Sequence, residues 1–282
     1  MRKIMPLLLL VFVLQACKKQ DLKQPGTNSE NLVNEKTSGL PGAQESASFS
    51  LLTSITLPGG AGAAEISAYD PATKKLFVVN NSAGINRIDI YNLANPASPV
   101  SAGNINTAVY GGVVNSVSVS NGKLAAAIEA SDKVSAGKIL VFKTSDYSVL
   151  ANVMVGSLPD MVTFSPDGKL ILSANEGEPN NAYTIDPVGT VSIISVDDNY
   201  AVTTLDFSGF EPRAAELKLK GFRIFGLNAS FAQDIEPEYI AVAGNSKKAW
   251  VTRLLHIIWD KVFRALFLYV RWYRLKVVVQ YG

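Results

Sequence analysis

Residues Leu158 to Pro179 read LPDMVTFSPDGKLILSANEGEP: a strand pattern, a tight turn and a second strand, with a carboxylate, Asp160 or Glu176, towards each end. Pro166-Asp167-Gly168 is a turn device, because proline presets φ and glycine accepts positive φ. The design recurs. EISAYDPATKKLFVVNN (Glu65 to Asn81), NSVSVSNGKLAAAIE (Asn115 to Glu129), DMVTFSPDGKLILSAN (Asp160 to Asn175) and EYIAVAGNSKKAWVT (Glu238 to Thr252) can be laid over one another. Each has an alternating strand, a turn rich in Asp, Asn or Gly, a lysine, and a more apolar strand.

Aligning Lys75, Lys123, Lys169 and Lys248 gives intervals of 48, 46 and 79 residues. The first two are propeller-blade lengths, and the third is a blade with an insertion. Further strand candidates, Arg87 to Leu93, Lys138 to Thr144 and Thr190 to Val196, follow the hairpins at similar offsets and complete three or four strands per repeat. A β-sandwich has no reason to repeat a register in this way. The sequence therefore predicts an all-β fold, an incomplete β-propeller with about four blade cores, over residues 51–252.

The composition is that of a globular chain: 282 residues, 48% hydrophobic and 18% charged. A net charge of +2 offers no broad field for gathering nucleic acid, so no nucleic-acid partner is expected. One histidine, His256, and one cysteine, Cys17, exclude Ser-His-Asp, Cys-His and His-cluster zinc chemistry from the body. Any catalysis there rests on carboxylates, amides and hydroxyls.

The first residues carry Arg2 and Lys3, then an apolar run to Val13, then LQAC at Leu14 to Cys17. The order of charge and apolar residues is that of a secretory signal, and the run is too short for a permanent span. LQAC resembles the bacterial lipobox, which implies cleavage before Cys17 and a lipid on its sulfur. An ordinary signal with a coincidental cysteine is the alternative. Residues 1–16 are read as the signal and 17–50, polar and aperiodic, as lipidated cysteine and tether. The expected location is the cell envelope, lipid-anchored at the outer membrane or surface of a Gram-negative bacterium.

The phrases AEISAYDPATKKLFVVNNSAGINRIDIYNL, YGGVVNSVSVSNGKLAAAIEA, LPDMVTFSPDGKLILSANEGEPN and GFRIFGLNASFAQDIEPEYIAVAGNSKKAWVT, in this order, resemble the choice-of-anchor I family. These are secreted bacterial β-propellers related to YVTN and lactonase-like propellers. The resemblance covers residues 51–252 and implies a seven-bladed surface protein.

The residues opening the first strands are Glu65, Asn115, Asp160 and Glu238; those closing the second are Asn81, Glu129, and Asn175 with Glu176. With the turn at the far end of each hairpin, both sets share one face of a propeller and converge at its channel mouth. Glu236 lies in a loop near that face, with Glu178 and Asp234. A ring of oxygen donors suits Ca²⁺, which takes about six to eight of them. The set is Glu65, Asn115, Glu129, Asp160, Asn175, Glu176, Glu236 and Glu238. Propeller hydrolases that resemble this arrangement use calcium to polarise a lactone or phosphate oxygen. The competing readings are a bound cation without catalysis, and polar strand ends that bond only to water and backbone.

The insertion from about residue 177 to 236 contains a short helical stretch, Arg213 to Leu219, whose Arg213, Lys218, Lys220 and Arg223 either meet an anion or form a solvated face. After Thr252 the pattern stops. Residues 253–282 place Arg253, His256, Asp260, Arg264, Arg271 and Arg274 at helical spacing among large apolar residues, and depart from the family. They read either as a basic amphipathic helix on a membrane or as the product of a frameshifted or truncated reading frame. The functional expectation is a surface binding or interaction module anchored in the membrane through Cys17, with an unidentified ligand or protein partner. The alternatives are a Ca²⁺-dependent phosphoesterase or lactonase-like hydrolase, and a purely structural envelope protein.

Overall fold

Each hairpin of the repeat grows into an antiparallel meander whose strands follow chain order. The computed structural model describes residues 50–60, 63–82, 84–220, 222–226, 228–253 and 279–280. The first sheet contains β1 (Ser67–Asp70), β2 (Lys75–Asn80), β3 (Arg87–Asn92) and β4 (Val100–Asn106). The second contains β5 (Val114–Ser120), β6 (Lys123–Ile128), β7 (Ala136–Lys143) and β8 (Val149–Ser157). The third contains β9 (Pro159–Phe164), β10 (Leu170–Asn175), β11 (Thr190–Ser195) and β12 (Ala201–Asp206). The fourth contains β13 (Pro237–Val242), β14 (Lys248–Arg253) and the short β15 (Val279–Gln280). The first strands β1, β5, β9 and β13 pack against one another in succession, so these sheets are blades of a β-propeller.

The middle strands explain the stacking. KLFVVN, KLAAAI and LILSAN are almost wholly buried, while β4, β8 and β12 alternate towards solvent. A strand covered on both faces reads as a continuous apolar run, and an outer strand shows period-two alternation. On β6, Leu124, Ala126 and Ile128 join Phe77, Val79, Ile88 and Ile90 of the first blade in one core. Ala125 and Ala127, on the opposite face, join Val162, Phe164, Ile171 and Ile194 of the third. The three alanines have no exposed surface, so both neighbouring blades close onto the second. Leucine at Ala126 overpacks the first of these interfaces. The expected loss is roughly 1–3 kcal/mol, read by urea unfolding.

Side chains also close the open edges of the first strands. Ser116 Oγ accepts the Val162 N–H at 3.2 Å, and Ser118 Oγ accepts that of Phe164 at 3.3 Å. Asn81 Nδ2 donates to the Val114 carbonyl, and Asn115 Nδ2 to that of Pro159, each at 3.3 Å. Each amide thus ties one blade to the first strand of the next.

Structural equivalence revises one detail of the lysine alignment. Lys75, Lys123, Leu170 and Lys248 begin the second strands, spaced 48, 47 and 78 residues apart. Lys169 lies one position earlier, inside its turn. Lys169 is the counterpart of Lys74, not of Lys75: four residues join both Asp70 to Lys75 and Ser165 to Leu170, whereas Asn121-Gly122 makes a two-residue turn with both φ positive. The far end of the sequence repeat also differs by one residue. Arg253, read as the start of the tail, is the last residue of β14 and pairs with Pro237. The remaining tail readings, on His256, Asp260, Arg264, Arg271 and Arg274, lie outside the described residues.

The anticipated insertion is two separate pieces, residues 176–189 within the third blade and 207–236 before the fourth. The second holds the short helix α1 (Ala214–Leu219), as its sequence suggests. Phe231, fully buried, stacks on Phe222 at 4.4 Å and on Phe210 at 5.8 Å between ring centroids, and joins this piece to the core shared by blades three and four. On its helix, Arg213 and Lys220 both bond to Glu216, a solvated charge pattern.

Candidate functional site: the carboxylate-lined mouth

Three of the opening residues occupy the same backbone irregularity. Opposite β6, Val114 pairs with Ile128 and Ser116 with Ala127, leaving Asn115 as the extra residue of a β-bulge. Asp160 is left out between Pro159 and Met161, and Glu238 between Pro237 and Tyr239. A bulge re-aims the side chain it carries, and bulges recur beside functional sites. Glu65 precedes β1, although its neighbour Ile66 already accepts the Val79 N–H.

In blades three and four the bulge is reached by the same device. Leu158 (φ 49°) and Glu236 (φ 36°) each precede a proline and then the bulged acid. A left-handed non-glycine residue before proline is unusual, and it turns the incoming chain sharply onto the inner strand. Glu236, which the sequence reading placed in a loop near the mouth, is therefore the blade-four counterpart of Leu158 and is buried.

Opening and closing residues meet across the hairpins of the first two blades. In blade one, Asn81 Nδ2 donates to Glu65 Oε2 at 2.9 Å. In blade two the roles are exchanged, with Asn115 Nδ2 donating to Glu129 Oε2 at 3.3 Å. Lys133 Nζ adds a cation 3.9 Å from the same Glu129 oxygen. Both blades therefore pair an acid with an amide. Blade three pairs an acid with an acid, because Asp160 and Glu176 hold the two positions.

The consequence is electrostatic. Burial, reinforced by Asp160, Glu178, Glu238 and Glu236, pushes the Glu176 carboxyl up to about 9. Burial, with Glu238, Glu65, Glu178 and Glu129 around it, pushes Asp160 up to about 6. Like charges crowded in a poorly solvated space disfavour ionisation. Acids of the other three blades, Glu65, Glu129 and Glu238, thus act on Asp160 of the third.

The structure thus brings together Glu65, Asn115, Glu129, Asp160, Glu176, Glu236 and Glu238. Asn175 behaves differently. It is fully buried, donates to Thr190 Oγ1 and Ser192 Oγ at 3.0 Å and accepts from Ser173 Oγ at 2.8 Å, so its amide is used within the blade. By strand register Glu176, not Asn175, matches Asn81 and Glu129. Gly177 follows at φ 71°, where an added Cβ would lie 2.7 Å from the Val188 carbonyl oxygen. Only glycine lets the 177–189 loop fold back so closely beside Glu176.

The sequence reading named Asp234 in a nearby loop and Arg253 in the tail, but missed that they pair and so tie the 207–236 piece to β14. Asp234 accepts the Phe225 and Gly226 N–H groups at 2.7 Å and pairs with Arg253 Nη2 at 3.1 Å. Arg253 also donates to the Arg223 carbonyl and lies 4.2 Å from the centre of the Phe222 ring. The signal available was a lone arginine ending an apolar strand.

Oxygen donors are chemically suited to calcium. Among the described residues no three His, Cys, Asp or Glu side chains form a group that could hold a metal ion without the help of amide oxygens. Cys17, the expected lipidation site, lies outside the described residues. No helix among those described is long and apolar enough to cross a membrane.

Among solved structures, hydrazine synthase of Kuenenia stuttgartiensis is similar at 18% identity and a TM-score of 0.46, over 65% of this chain and 47% of its own. TolB of Acinetobacter baumannii is similar at 15% identity and a TM-score of 0.39, over 66% and 36%. A hypothetical selenium-binding protein of Sulfolobus tokodaii is similar at 9% identity and a TM-score of 0.46, over 71% and 46%. The chain spans less than half the length of each of these proteins. No curated protein matches the sequence. The choice-of-anchor I domain matches residues 65–253, from the first mouth glutamate to the last residue of β14. The chain belongs to the choice-of-anchor I family.

Proposed function

We propose that the protein is a binding module of the cell envelope, held to a membrane through a lipid on Cys17, which receives its ligand at the carboxylate-lined mouth. The observation that carries this reading is the acid–acid pair of blade three. Blades one and two satisfy the same two positions with an acid and an amide. Asp160 facing Glu176 instead keeps two crowded, poorly solvated carboxyls, which lowers stability. Groups perturbed in this way concentrate where proteins bind or react. A ligand that supplies positive charge and hydrogen-bond donors relieves the crowding and binds the folded state selectively.

The calcium-dependent hydrolase reading would require the carboxylates to draw together about the ion. The two readings separate in one experiment. Purified full chain is screened by thermal shift against charged, neutral and peptidic ligands, and against chromogenic phosphoesters and lactones with calcium or chelator. The module reading expects a ligand that raises the melting temperature of the wild type by several degrees but leaves Asp160→Asn unmoved. Turnover that disappears with chelator and with Asp160→Asn would replace it with the enzyme reading.

A further inference from the structure

Blades one, two and three each hide one face under the blade that follows. In blade three that face carries Met161, Leu172 and Ala174, none more than 7% exposed, which pack with Ile240, Ala249 and Val251 of blade four. Register puts Tyr239, Trp250 and Thr252 at the same positions of blade four, where Tyr239 lies opposite Thr252 as Met161 lies opposite Ala174. Here the face is open: Tyr239 is 56% exposed, Thr252 is exposed and Trp250 is half-buried. An aromatic sheet face at positions that blade three buries is a stacking surface left unused.

Blade four is also short of strands. Its third strand is the short β15, which pairs with Lys248 and Ala249, so Trp250 to Arg253 have no outer neighbour in the described sheets. Residues 51–57, LLTSITL, show the converse, a strand pattern that belongs to none of the described sheets. Thr53, Ile55 and Leu57 are half-buried while Leu52, Ser54 and Thr56 are exposed, the period-two alternation seen in the outer strands. The Pro58 carbonyl accepts a hydrogen bond from the buried Asn80 Nδ2 at 3.0 Å, which moors this stretch to blade one. It leads into β1 through a short loop as β4 leads into β5, and so holds the sequence place of an outer strand of the blade before. The blade-one face on that side is open too, with Ser67 and Tyr69 exposed and Leu76 half-buried.

We infer that a second copy of this chain covers blade four, stacking its Ser67, Tyr69 and Leu76 on Tyr239 and Trp250 and adding its residues 51–57 to the outer edge of that blade. The contact continues the stacking that already joins the blades, because Ser67 and Leu76 hold the blade-one positions of Ile240 and Ala249. A strand without a sheet and a blade short of strands, carried by one chain, are complementary between copies, and each open edge is a template for the other. The two surfaces differ, so the contact is heterologous, and two copies close a ring of about eight blades, within the size range of propellers. The inference goes beyond the binding-module reading and does not rest on it.

The test is sedimentation velocity of the full chain in detergent over a wide range of concentration, with lysine crosslinking of an equal mixture of nitrogen-15-labelled and unlabelled copies. A dimer is expected, together with a Lys74–Lys247 crosslink that joins a labelled to an unlabelled peptide, since the exposed turns of blades one and four then lie side by side. Trp250→Glu and Tyr239→Glu each raise the dimer dissociation constant by about tenfold or more, and Ile55→Pro raises it severalfold. The Tyr239 side chain is already open to solvent, so its variant keeps the fold, which melting curves of each variant verify. A monomer at every concentration overturns the inference, and so does a Lys74–Lys247 crosslink formed only within single copies. Self-association that survives all three substitutions, as association through a lipid anchor does, overturns it as well. A monomer that still binds a ligand in a manner sensitive to Asp160→Asn leaves the module reading standing while this one fails.

Discussion

Exchanging Glu176 for glutamine raises the melting temperature at pH 8 by about 4–8 °C. The folded-state carboxyl is held at about 9 against an ordinary 4.5, so the native protein keeps a proton that the unfolded chain releases. Stability from this group is complete below pH 4.5 and falls as pH rises through the window up to 9. Each pH unit within that window is worth up to about 1.4 kcal/mol. Discounted for the partial solvation of the mouth, the loss at pH 8 is about 2 kcal/mol. Glutamine does not titrate, and its amide can donate to Asp160 as Asn81 does to Glu65. The variant should therefore show a flattened stability profile between pH 6 and 9, read by urea unfolding across that range. Asp160, whose window runs from 3.8 to about 6, adds its slope below that range. A variant less stable than wild type at pH 8, with an unchanged profile, would mean that Glu176 is satisfied in the fold.

The opposite sign is expected at Asp234. Alanine there strands the buried Arg253 guanidinium and the Phe225 and Gly226 N–H groups together. The Arg253 and Asp234 side chains are only 10% and 3% exposed, so the partner left behind is poorly hydrated. Removing one member of such a pair costs about 3–5 kcal/mol. Asp234→Asn keeps an acceptor for the backbone donors and loses less. The damage should also be local at first. Limited proteolysis should cut the 207–236 piece in Asp234→Ala before the blades open, since that piece is stapled to β14 through Arg253. Uniform resistance to proteolysis with an unchanged unfolding midpoint would show that the aromatic stack of Phe210, Phe222 and Phe231 holds the piece unaided.

Much of this was legible in the sequence, for identifiable reasons. A propeller repeats one supersecondary unit, so turn residues and apolar runs recur, and SPDGKLILSAN could be laid over SNGKLAAAIE. The face carrying the mouth followed from strand direction alone. Register was less accessible. Lys169 stood in for Leu170 because the four-residue turns of blades one and three both close on a lysine, Lys74 or Lys169, and only blade one has a second lysine where the strand begins. That slip hid the pairing of Glu176 with Asn81 and Glu129, and drew Asn175 into the site although its amide serves Thr190 and Ser192. The bulges at Asn115, Asp160 and Glu238 leave no compositional trace beyond a polar residue near a strand start. The ion pair of Asp234 with Arg253 joins residues whose partnership depends on how an irregular segment folds over a blade, and no periodicity encodes that.

The account turns on carboxylates of different blades meeting at one mouth, and Glu176 reports this most directly. With the side-chain carboxyl of Glu176 labelled with carbon-13, its titration should have a midpoint near 9, moving towards 4.5 when Glu238, on the neighbouring blade, is replaced by glutamine. A midpoint already near 4.5, indifferent to Glu238→Gln, would mean that the blades do not bring these groups together.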